Sequence, residues 1–345
     1  MNIEALLRPN VRNIKAYSSA RDEYKDASAN MIYVDANENP YSSDVNRYPD
    51  PQQNAVKEKL AKIKGVSKDQ MLLGNGSDEV LDLIFRAFCE PQIDNVITLP
   101  PTYGMYAVLA DLNAVETIKI ELNSQFQPKT EEVLSKQNSS SKLLLLCSPN
   151  NPTANSFDAK IIERLIRGFN GVVVIDEAYI DFSTRESWVN RLEEFPNLVV
   201  TQTLSKAYGL AGIRLGLCFA SEFIISVLNR IKPPYNINQL TQKRALARLD
   251  EIKKINGEVR SIIQQREVLS EALKRIEFVR EVFASDANFI LVKVDDADQR
   301  YHQLISKGIV VRNRTRQPLC CNCLRFTVGT QAENEALITA LKDLH

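Results

Sequence analysis

Short apolar runs alternate with helix-like stretches through the middle of the chain, and this alternation limits the possible folds more than any other feature. The runs are rich in Val, Ile and Leu and lack the polar alternation of a strand with one exposed face. Such runs predict strands buried on both faces, and the helices between them predict a mostly parallel sheet. The runs span residues 95–99, 142–147, 171–175, 198–202 and 215–220. We therefore expect an α/β fold whose large domain, over residues 50–245, holds a doubly wound sheet.

The C-terminal third predicts a smaller α/β domain. Residues 249–280 carry apolar residues at steps of three, four and seven, which predicts one long helix joining the domains. Strand-like segments follow at 288–294, 308–312 and 323–327, with a helix over 298–307. Thr330 and Glu333 form a capping box that opens a final helix. In this prediction residues 1–49 and 246–345 form the second domain, and two domains suit a chain of 345 residues.

Charge and hydropathy exclude two classes of partner. Lys plus Arg equals Asp plus Glu at 43 each, so the chain has no net field to hold nucleic acid or an anionic membrane. No apolar run approaches 18 residues, and the first 30 residues lack the apolar core of a secretory signal. We expect a cytoplasmic protein that binds neither nucleic acid nor membrane.

Histidine and cysteine usage argues against a metal enzyme. The chain has two histidines, His302 and the terminal His345, so neither a His-built metal site nor a Ser-His-Asp hydrolase is expected. The six cysteines provide no second cluster to complete a tetrahedral zinc site. We interpret them as reduced thiols and predict no metal.

Polar clusters follow three of the predicted strands, at residues 148–153, 176–179 and 203–206. Ligands of open α/β sheets bind outside the carboxyl ends of the strands, so we expect these clusters to share one crevice. A fourth cluster, residues 74–79, places a Gly-x-Gly turn before an amphipathic helix. A dinucleotide site is weakly supported, because no third glycine follows. The turn suits a phosphate at the helix N-terminus, and the alternative is an ordinary capped helix start.

Lys206 and Asp176 together favour one chemistry. A functional buried lysine indicates a Schiff base or a salt bridge, because an ammonium at its ordinary pKa is a poor nucleophile. A Schiff-base lysine with an aspartate for a pyridinium nitrogen is the arrangement that serves pyridoxal 5'-phosphate. Taken singly, Asp176 could cap a helix, Tyr179 could line a core edge and Lys206 could be a solvated strand end.

The order and spacing of these clusters resemble the fold-type I, class II pyridoxal-phosphate aminotransferases. Ser-Lys-Ala-Tyr-Gly-Leu-Ala-Gly-Ile-Arg at 205–214 is the most specific segment, supported by 147–153 and 176–182. Segments 35–40, 47–50, 100–106 and 323–330 extend the resemblance from about residue 10 to the end. The resemblance implies a transaminase with a large and a small domain. Another fold-type I enzyme, such as an aromatic aminotransferase or a threonine-phosphate decarboxylase, remains an alternative, as does a non-catalytic binding module.

The resemblance also implies a role for each matching residue around pyridoxal 5'-phosphate. Lys206 would bond the cofactor and act as the proton shuttle, and Asp176 would hold the pyridine nitrogen protonated. Asn151 and Tyr179 would bond the 3'-oxygen, and Tyr103 would stack on the ring. The phosphate would be held by Gly76, Ser77, Asp78, Ser205, Arg214 and, from the neighbouring subunit of a homodimer, Tyr48.

At the substrate end, the resemblance places Arg325, Arg312 and Tyr17 beside Asn151. Arginine suits both phosphate and carboxylate, because its planar fork binds two oxygens at once. The alternative for Arg312, which Arg314 and Arg316 follow closely, is a solvated strand end. One residue departs from the family pattern: Ala154 stands where the family commonly has glycine, and a positive φ there would cost about 1 kcal/mol.

Overall fold

The computed structural model describes residues 1–15 and 32–344. Its larger sheet has the strand order β1-β7-β6-β5-β4-β2-β3, in which β7 runs antiparallel to β1 and β6 and the other pairs are parallel. The strands are β1 Met71–Gly74, β2 Asn95–Thr98, β3 Glu116–Lys119, β4 Ser141–Cys147, β5 Val172–Asp176, β6 Leu198–Thr203 and β7 Gly216–Ala220. The mostly parallel α/β sheet predicted from the apolar runs is confirmed.

Helices cover both faces of this sheet and continue into the C-terminal part. In chain order they are α1 Pro9–Asn13, α2 Asn54–Lys64, α3 Ser77–Phe88, α4 Met105–Leu112, α5 Thr130–Lys136, α6 Ala159–Gly168, α7 Glu222–Ile231, α8 Gln239–Leu249, α9 Ile252–Leu273, α10 Ala297–Ser306 and α11 Gln331–Lys342. The predicted capping box is present at the start of α11, where the Thr330 hydroxyl accepts from the Glu333 N–H.

The apolar runs are continuous because both faces of the central strands are buried. In β4, Leu144 and Leu146 join one hydrophobic cluster, whereas Leu143 and Leu145 join the cluster on the opposite face. Successive side chains of a strand point to opposite faces. In a strand that lies between two helix layers, both sets of side chains are therefore buried and apolar. Because β4, β5 and β6 are parallel neighbours, this packing holds their carboxyl ends side by side at one edge of the sheet.

A second sheet lies in the C-terminal part, with the antiparallel order β10-β11-β9-β8. Its strands are β8 Val279–Val282, β9 Phe289–Val294, β10 Arg312–Asn313 and β11 Cys323–Thr327. The predicted long helix over 249–280 is wrong at both ends: α8 stops at Leu249, α9 stops at Leu273, and residues 279–282 pair with β9. The predicted strand over 308–312 is reduced to Arg312–Asn313, the residues that pair with β11.

The first residues of the chain pack against the larger sheet's helices rather than against the second sheet, where we expected them. Ile3, Leu7 and Val11 are buried with Phe85 of α3 and Ile224 of α7, and the Arg8 N–H donates to the Ala87 carbonyl. The division into two domains stays a prediction. Across the two described stretches, no helix is long and apolar enough to cross a membrane.

A left-handed turn joins the two sheets close to the carboxyl ends of the strands. Ala154 has φ 68°, the conformation in which its methyl group costs about 1 kcal/mol relative to glycine. Its carbonyl accepts from the Asp286 N–H at 2.8 Å, and the Ser156 N–H donates to the Asp286 carboxylate at 3.0 Å. The strained residue thus lies where the chain fastens the second sheet to the first.

Candidate active site

A cavity with about 490 Å³ of empty space lies at the carboxyl ends of β4, β5 and β6. The three polar clusters that follow these strands meet in it, together with the start of α3. The lining residues are Ser77, Asp78, Tyr103, Cys147, Asn151, Asp176, Ala178, Tyr179, Thr203, Ser205, Lys206 and Arg214. Most of the residues that the sequence nominates for the cofactor are therefore neighbours in space.

Asp176, the last residue of β5, forms the floor of the cavity. Its side chain is buried, and its two oxygens accept from the Tyr106 hydroxyl at 2.9 Å and from the Ala178 N–H at 3.2 Å. Burial raises the pKa of Asp176 to about 6, and the Tyr106 hydrogen bond opposes that rise. A buried carboxylate held in this way suits a cationic N–H group as its partner.

Lys206 extends into the same cavity from the loop after β6. Its Nζ lies 5.7 Å from the centre of the Tyr179 ring, which packs edge-on against Phe289. The side chain is more exposed than the buried lysine we expected, because it faces the open cavity. Partial burial lowers the pKa of Lys206, and the Arg325 and Arg214 charges lower it further. A lowered pKa favours the neutral amine, which is the nucleophilic and basic form.

The turn before α3 has the features of an anion-binding site. The N–H groups of Ser77 and Asp78 start this helix and have no acceptor among the described residues, so they remain available to a ligand. Arg214 lies beside them, with Nη2 3.5 Å from an Asp78 oxygen and Nη1 3.5 Å from the Ser205 hydroxyl. The Gly76 N–H donates to the Gly74 carbonyl instead. Gly76 makes room: a Cβ there would lie 2.6 Å from Arg214 Nη2.

Tyr103 and Asn151 occupy the sides of the cavity. The Tyr103 hydroxyl donates to Asp78 at 3.1 Å, and its ring packs edge-on against Tyr106. The Asn151 side-chain oxygen accepts from Arg325 Nη1 of β11, so this contact crosses from one sheet to the other. Arg312 is the cross-strand neighbour of Arg325 in β10 and is exposed.

Some expected residues lie away from the cavity or outside the described chain. Tyr48 is half exposed and stacks on Tyr235 at 4.4 Å, in a separate groove. Tyr17 lies outside the described residues. His302 is exposed on α10, where Nδ1 contacts the Asp298 carbonyl. Within residues 1–15 and 32–344, no group of His, Cys, Asp and Glu could hold a metal ion.

Sequence reasoning missed several residues of the site. Tyr106 has no individual role in the resemblance, which contains it only within segment 100–106, although its hydroxyl is a direct partner of Asp176. Cys147 and Thr203 line the cavity because they end β4 and β6 beside the end of β5. The sequence carries only a partial signal, since Tyr106 follows Tyr103 by three residues at the start of α4.

Pyridoxal 5'-phosphate fits these residues. Unpaired N–H groups and Arg214 at one end suit a phosphate, and a buried carboxylate with a raised pKa at the other end suits a ring nitrogen that carries a proton. Lys206 lies among the same lining residues, and its amine would suit the aldehyde of such a cofactor.

Comparison with known proteins agrees with this geometry. The family model for aminotransferase class I and II matches residues 22–341. The histidinol-phosphate aminotransferase of Flavobacterium johnsoniae is 61% identical over 345 residues, covering 100% of this chain and 99% of the relative. The enzyme of that name from Bacteroides thetaiotaomicron is 51% identical, covering 99% and 98%.

Solved structures share the fold. The histidinol-phosphate aminotransferase from Clostridium acetobutylicum matches with TM-score 0.80 at 23% identity, covering 87% of this chain and 90% of that one. The Sinorhizobium meliloti enzyme of the same name, solved in complex with pyridoxal-5'-phosphate, has TM-score 0.80 at 22% identity, covering 88% and 84%. Since the family model spans nearly the whole chain and the curated relatives match it end to end, the chain belongs to the class I and II aminotransferase family.

Proposed function

We propose that the chain transfers the amino group between L-histidinol phosphate and 2-oxoglutarate, giving imidazole acetol phosphate and glutamate, in histidine biosynthesis. One observation carries the proposal: Lys206 and Asp176 face one cavity, and Asn151 ties Arg325 to its side. Relatives that match the chain from end to end and bear the name histidinol-phosphate aminotransferase support the substrate.

Pyridoxal 5'-phosphate, when bound, supplies an electron sink that makes a proton on the neighbouring substrate carbon acidic. Lys206 Nζ has a lowered pKa, so as the neutral amine it would accept that proton. It would then return the proton to the cofactor carbon that is bonded to the transferred nitrogen. Asp176 stabilises a proton on the ring nitrogen, and Tyr106 keeps its carboxylate oriented and ionised. Tyr179 would hydrogen-bond the cofactor's 3'-oxygen, and the roles of all three residues are part of the proposal.

The two substrates share an anionic end, and we assign it to Arg325 and Arg312. Arg325 is held by Asn151 and lies over the Phe289 ring at 5.0 Å, so its guanidinium is fixed before substrate binds. A fixed fork loses little rotamer freedom when it binds two oxygens of a phosphate or carboxylate. One site can therefore serve both half-reactions.

The proposal includes a cytoplasmic homodimer in which Tyr48 reaches the partner subunit's cofactor phosphate. Tyr48 lies in a groove apart from the Lys206 cavity of its own chain, so a role at the cofactor requires a second copy. All six cysteines are free thiols, which is typical of chains from a reducing compartment.

A substrate panel tests the proposal. Steady-state rates with histidinol phosphate, phenylalanine and threonine phosphate should favour the first, and preference for either of the others would contradict the named substrate. Lys206→Ala should lose turnover and the visible absorption of the bound cofactor, whereas the exposed Lys254→Ala should keep both. If Lys206→Ala changed neither activity nor absorption, the proposed enzyme function would be contradicted, and a non-catalytic binding module would be the remaining interpretation.

A further inference from the structure

Arg312, Arg314 and Arg325 are neighbours around the β10–β11 pair, and Arg325 bonds Asn151 at the side of the cavity. Arg314 is the one with no role in the proposed function. Arg312 and Arg325 are directly opposite each other in the β10–β11 pair. The Arg314 N–H donates to the Cys323 carbonyl at 2.8 Å, which continues the same pairing by one step. Residues two apart on an extended chain share a face, so Arg314 lies on the same face as Arg312 and Arg325, the face from which Arg325 reaches Asn151.

These guanidinium groups are short of partners. The Nε atoms of Arg314 and Arg325 are buried without a hydrogen-bond acceptor, and no ion pair among the described residues involves any of the three arginines. Arg300 of the same small sheet region shows the usual arrangement, because both its Nε and Nη2 donate to Asp295, at 3.0 and 2.8 Å. A buried donor without an acceptor is costly, so the trio suits an anion from outside the chain.

The charges also act on one another. Burial lowers the pKa of Arg314, and the charge of Arg312 lowers it further. Burial likewise lowers the pKa of Arg325 to about 10, with the Arg314 charge as the next cause. The Tyr179 side chain, which lines the cavity, opposes this lowering of the Arg314 pKa. Arg314 therefore lies near both Arg325 and a residue that lines the cavity.

Charge and shape distinguish the two anions that this site must accept. A carboxylate has one charge and two oxygens, which a single guanidinium fork satisfies. A phosphate monoester has three terminal oxygens and a charge near −2 at neutral pH, so it can bind more guanidinium groups than a carboxylate can, including one beyond the Arg325 and Arg312 pair. Building on the proposed function, we propose that Arg314 binds the substrate phosphate as a third arginine and sets the preference for a phosphate monoester over a carboxylate.

Arg314→Gln in the cofactor-loaded enzyme tests this assignment, with Arg316→Gln as the matched control on the same loop. Arg316 is exposed, whereas Arg314 is half-buried. The two half-reactions are followed separately in single turnovers, one with histidinol phosphate and one with glutamate. Arg314→Gln should raise the apparent dissociation constant for histidinol phosphate by about tenfold to a hundredfold and that for glutamate by less than about threefold. Arg316→Gln should change neither.

Equal changes for both substrates, or none, would overturn the assignment. If Arg314→Gln does not fold, Arg314→Lys replaces it: a point charge without the fork should give a smaller change in the same direction.

A second measurement keeps the assignment separate from the proposed function. Inorganic phosphate should raise the melting temperature of the cofactor-loaded enzyme, whose cofactor phosphate site is already filled, and Arg314→Gln should remove most of that rise. Should the wild type fail to use histidinol phosphate, the proposed function fails. In that case the phosphate-dependent rise in melting temperature still tests whether Arg314 binds phosphate. Loss of the rise in Arg314→Gln supports the assignment, and its persistence refutes it.

Discussion

Tyr106 donates its hydroxyl hydrogen to Oδ2 of Asp176 across 2.9 Å, and both side chains are buried. The pair joins the first turn of α4 to the end of β5. Burial raises the pKa of Asp176, whereas this hydrogen bond stabilises the ionised form and lowers it. Tyr106 thus helps to keep the carboxylate charged at the bottom of a cavity that disfavours charge.

Tyr106→Phe should therefore reduce turnover without unfolding the protein, because the buried ring is retained. Asp176 would keep its bond from the Ala178 N–H but protonate more readily. We expect kcat to fall by about tenfold, the effect of one hydrogen bond to a charged group. The acidic limb of the kcat profile should also move to higher pH. Tyr301→Phe, on α10, is the control; an identical profile in both variants would contradict the role given to Tyr106.

The raised pKa of Asp176 also predicts how stability depends on pH when no cofactor is bound. With a folded pKa of about 6 against an ordinary value of 3.8, the folded state binds more protons than the unfolded state in that window. Stability contributed by this group is therefore present below about pH 4 and is lost as the pH rises through about 6. The loss at neutral pH amounts to about 3 kcal/mol.

Asp176→Asn checks this sign, because asparagine has the same shape and does not ionise. In urea unfolding of the cofactor-free protein, the variant should be more stable than the wild type by about 3 kcal/mol near pH 7.5 and nearly equal near pH 4. Its turnover should be lost. A variant less stable than the wild type at neutral pH would show that the carboxylate is compensated in the cofactor-free fold.

Local sequence patterns predicted the parts of the fold that depend on local burial. The runs that became β4, β5 and β6 are apolar throughout because both faces are covered, and this property is visible in the sequence. The helix over 249–280 was predicted too long because its periodicity continues past Leu273, whereas Val279 pairs with Val294, fifteen residues further on. Strand pairing of this kind depends on residues that are distant in the sequence, so a local sequence pattern cannot predict it.

The site residues also fall into two groups, those that the sequence could nominate and those that only the folded chain brings together. Lys206 and Asp176 could be nominated because each follows a recognisable strand and matches a family segment. The contacts Tyr106–Asp176 and Arg325–Asn151 join residues 70 and 174 positions apart, so only the folded chain brings them together. Arg312 was nominated only through the resemblance, with a solvated strand end as the alternative, and Arg314 was not nominated. Their alignment with Arg325 depends on a two-residue strand.

Gly216 packs directly against the backbone of the turn that precedes α3. A Cβ on Gly216 would lie 2.3 Å from both the Gly76 carbonyl carbon and the Ser77 nitrogen, and these are backbone atoms that cannot rotate away. Gly216→Ala should displace the free N–H groups and weaken cofactor affinity by about tenfold or more. Gly212→Ala is the matched control, since nothing lies within 4 Å of its Cβ position. Equal affinities in the two variants, measured by cofactor titration, would contradict this account.

The proposed contribution of Tyr48 across a dimer can be tested with hybrids of two inactive or weakened chains. Tyr48 lies in a groove with Asn238 and Leu240, apart from Lys206 of the same chain. Tyr48→Phe should weaken cofactor binding by about tenfold, the loss of one charge-assisted hydrogen bond. Lys206→Ala should be inactive.

When the two chains are mixed, the expected result depends on which subunit Tyr48 serves. If Tyr48 reaches the partner's cofactor, a hybrid dimer has one site with both wild-type residues and one site with both substitutions. Activity at limiting cofactor should then rise above that of either parent, toward half the wild-type value per hybrid. If Tyr48 serves its own chain, the better site of the hybrid still carries Tyr48→Phe, and mixing cannot restore wild-type cofactor affinity. Cofactor titration of the mixture therefore separates the two arrangements, since wild-type affinity in the active fraction requires that Tyr48 act across the subunit boundary.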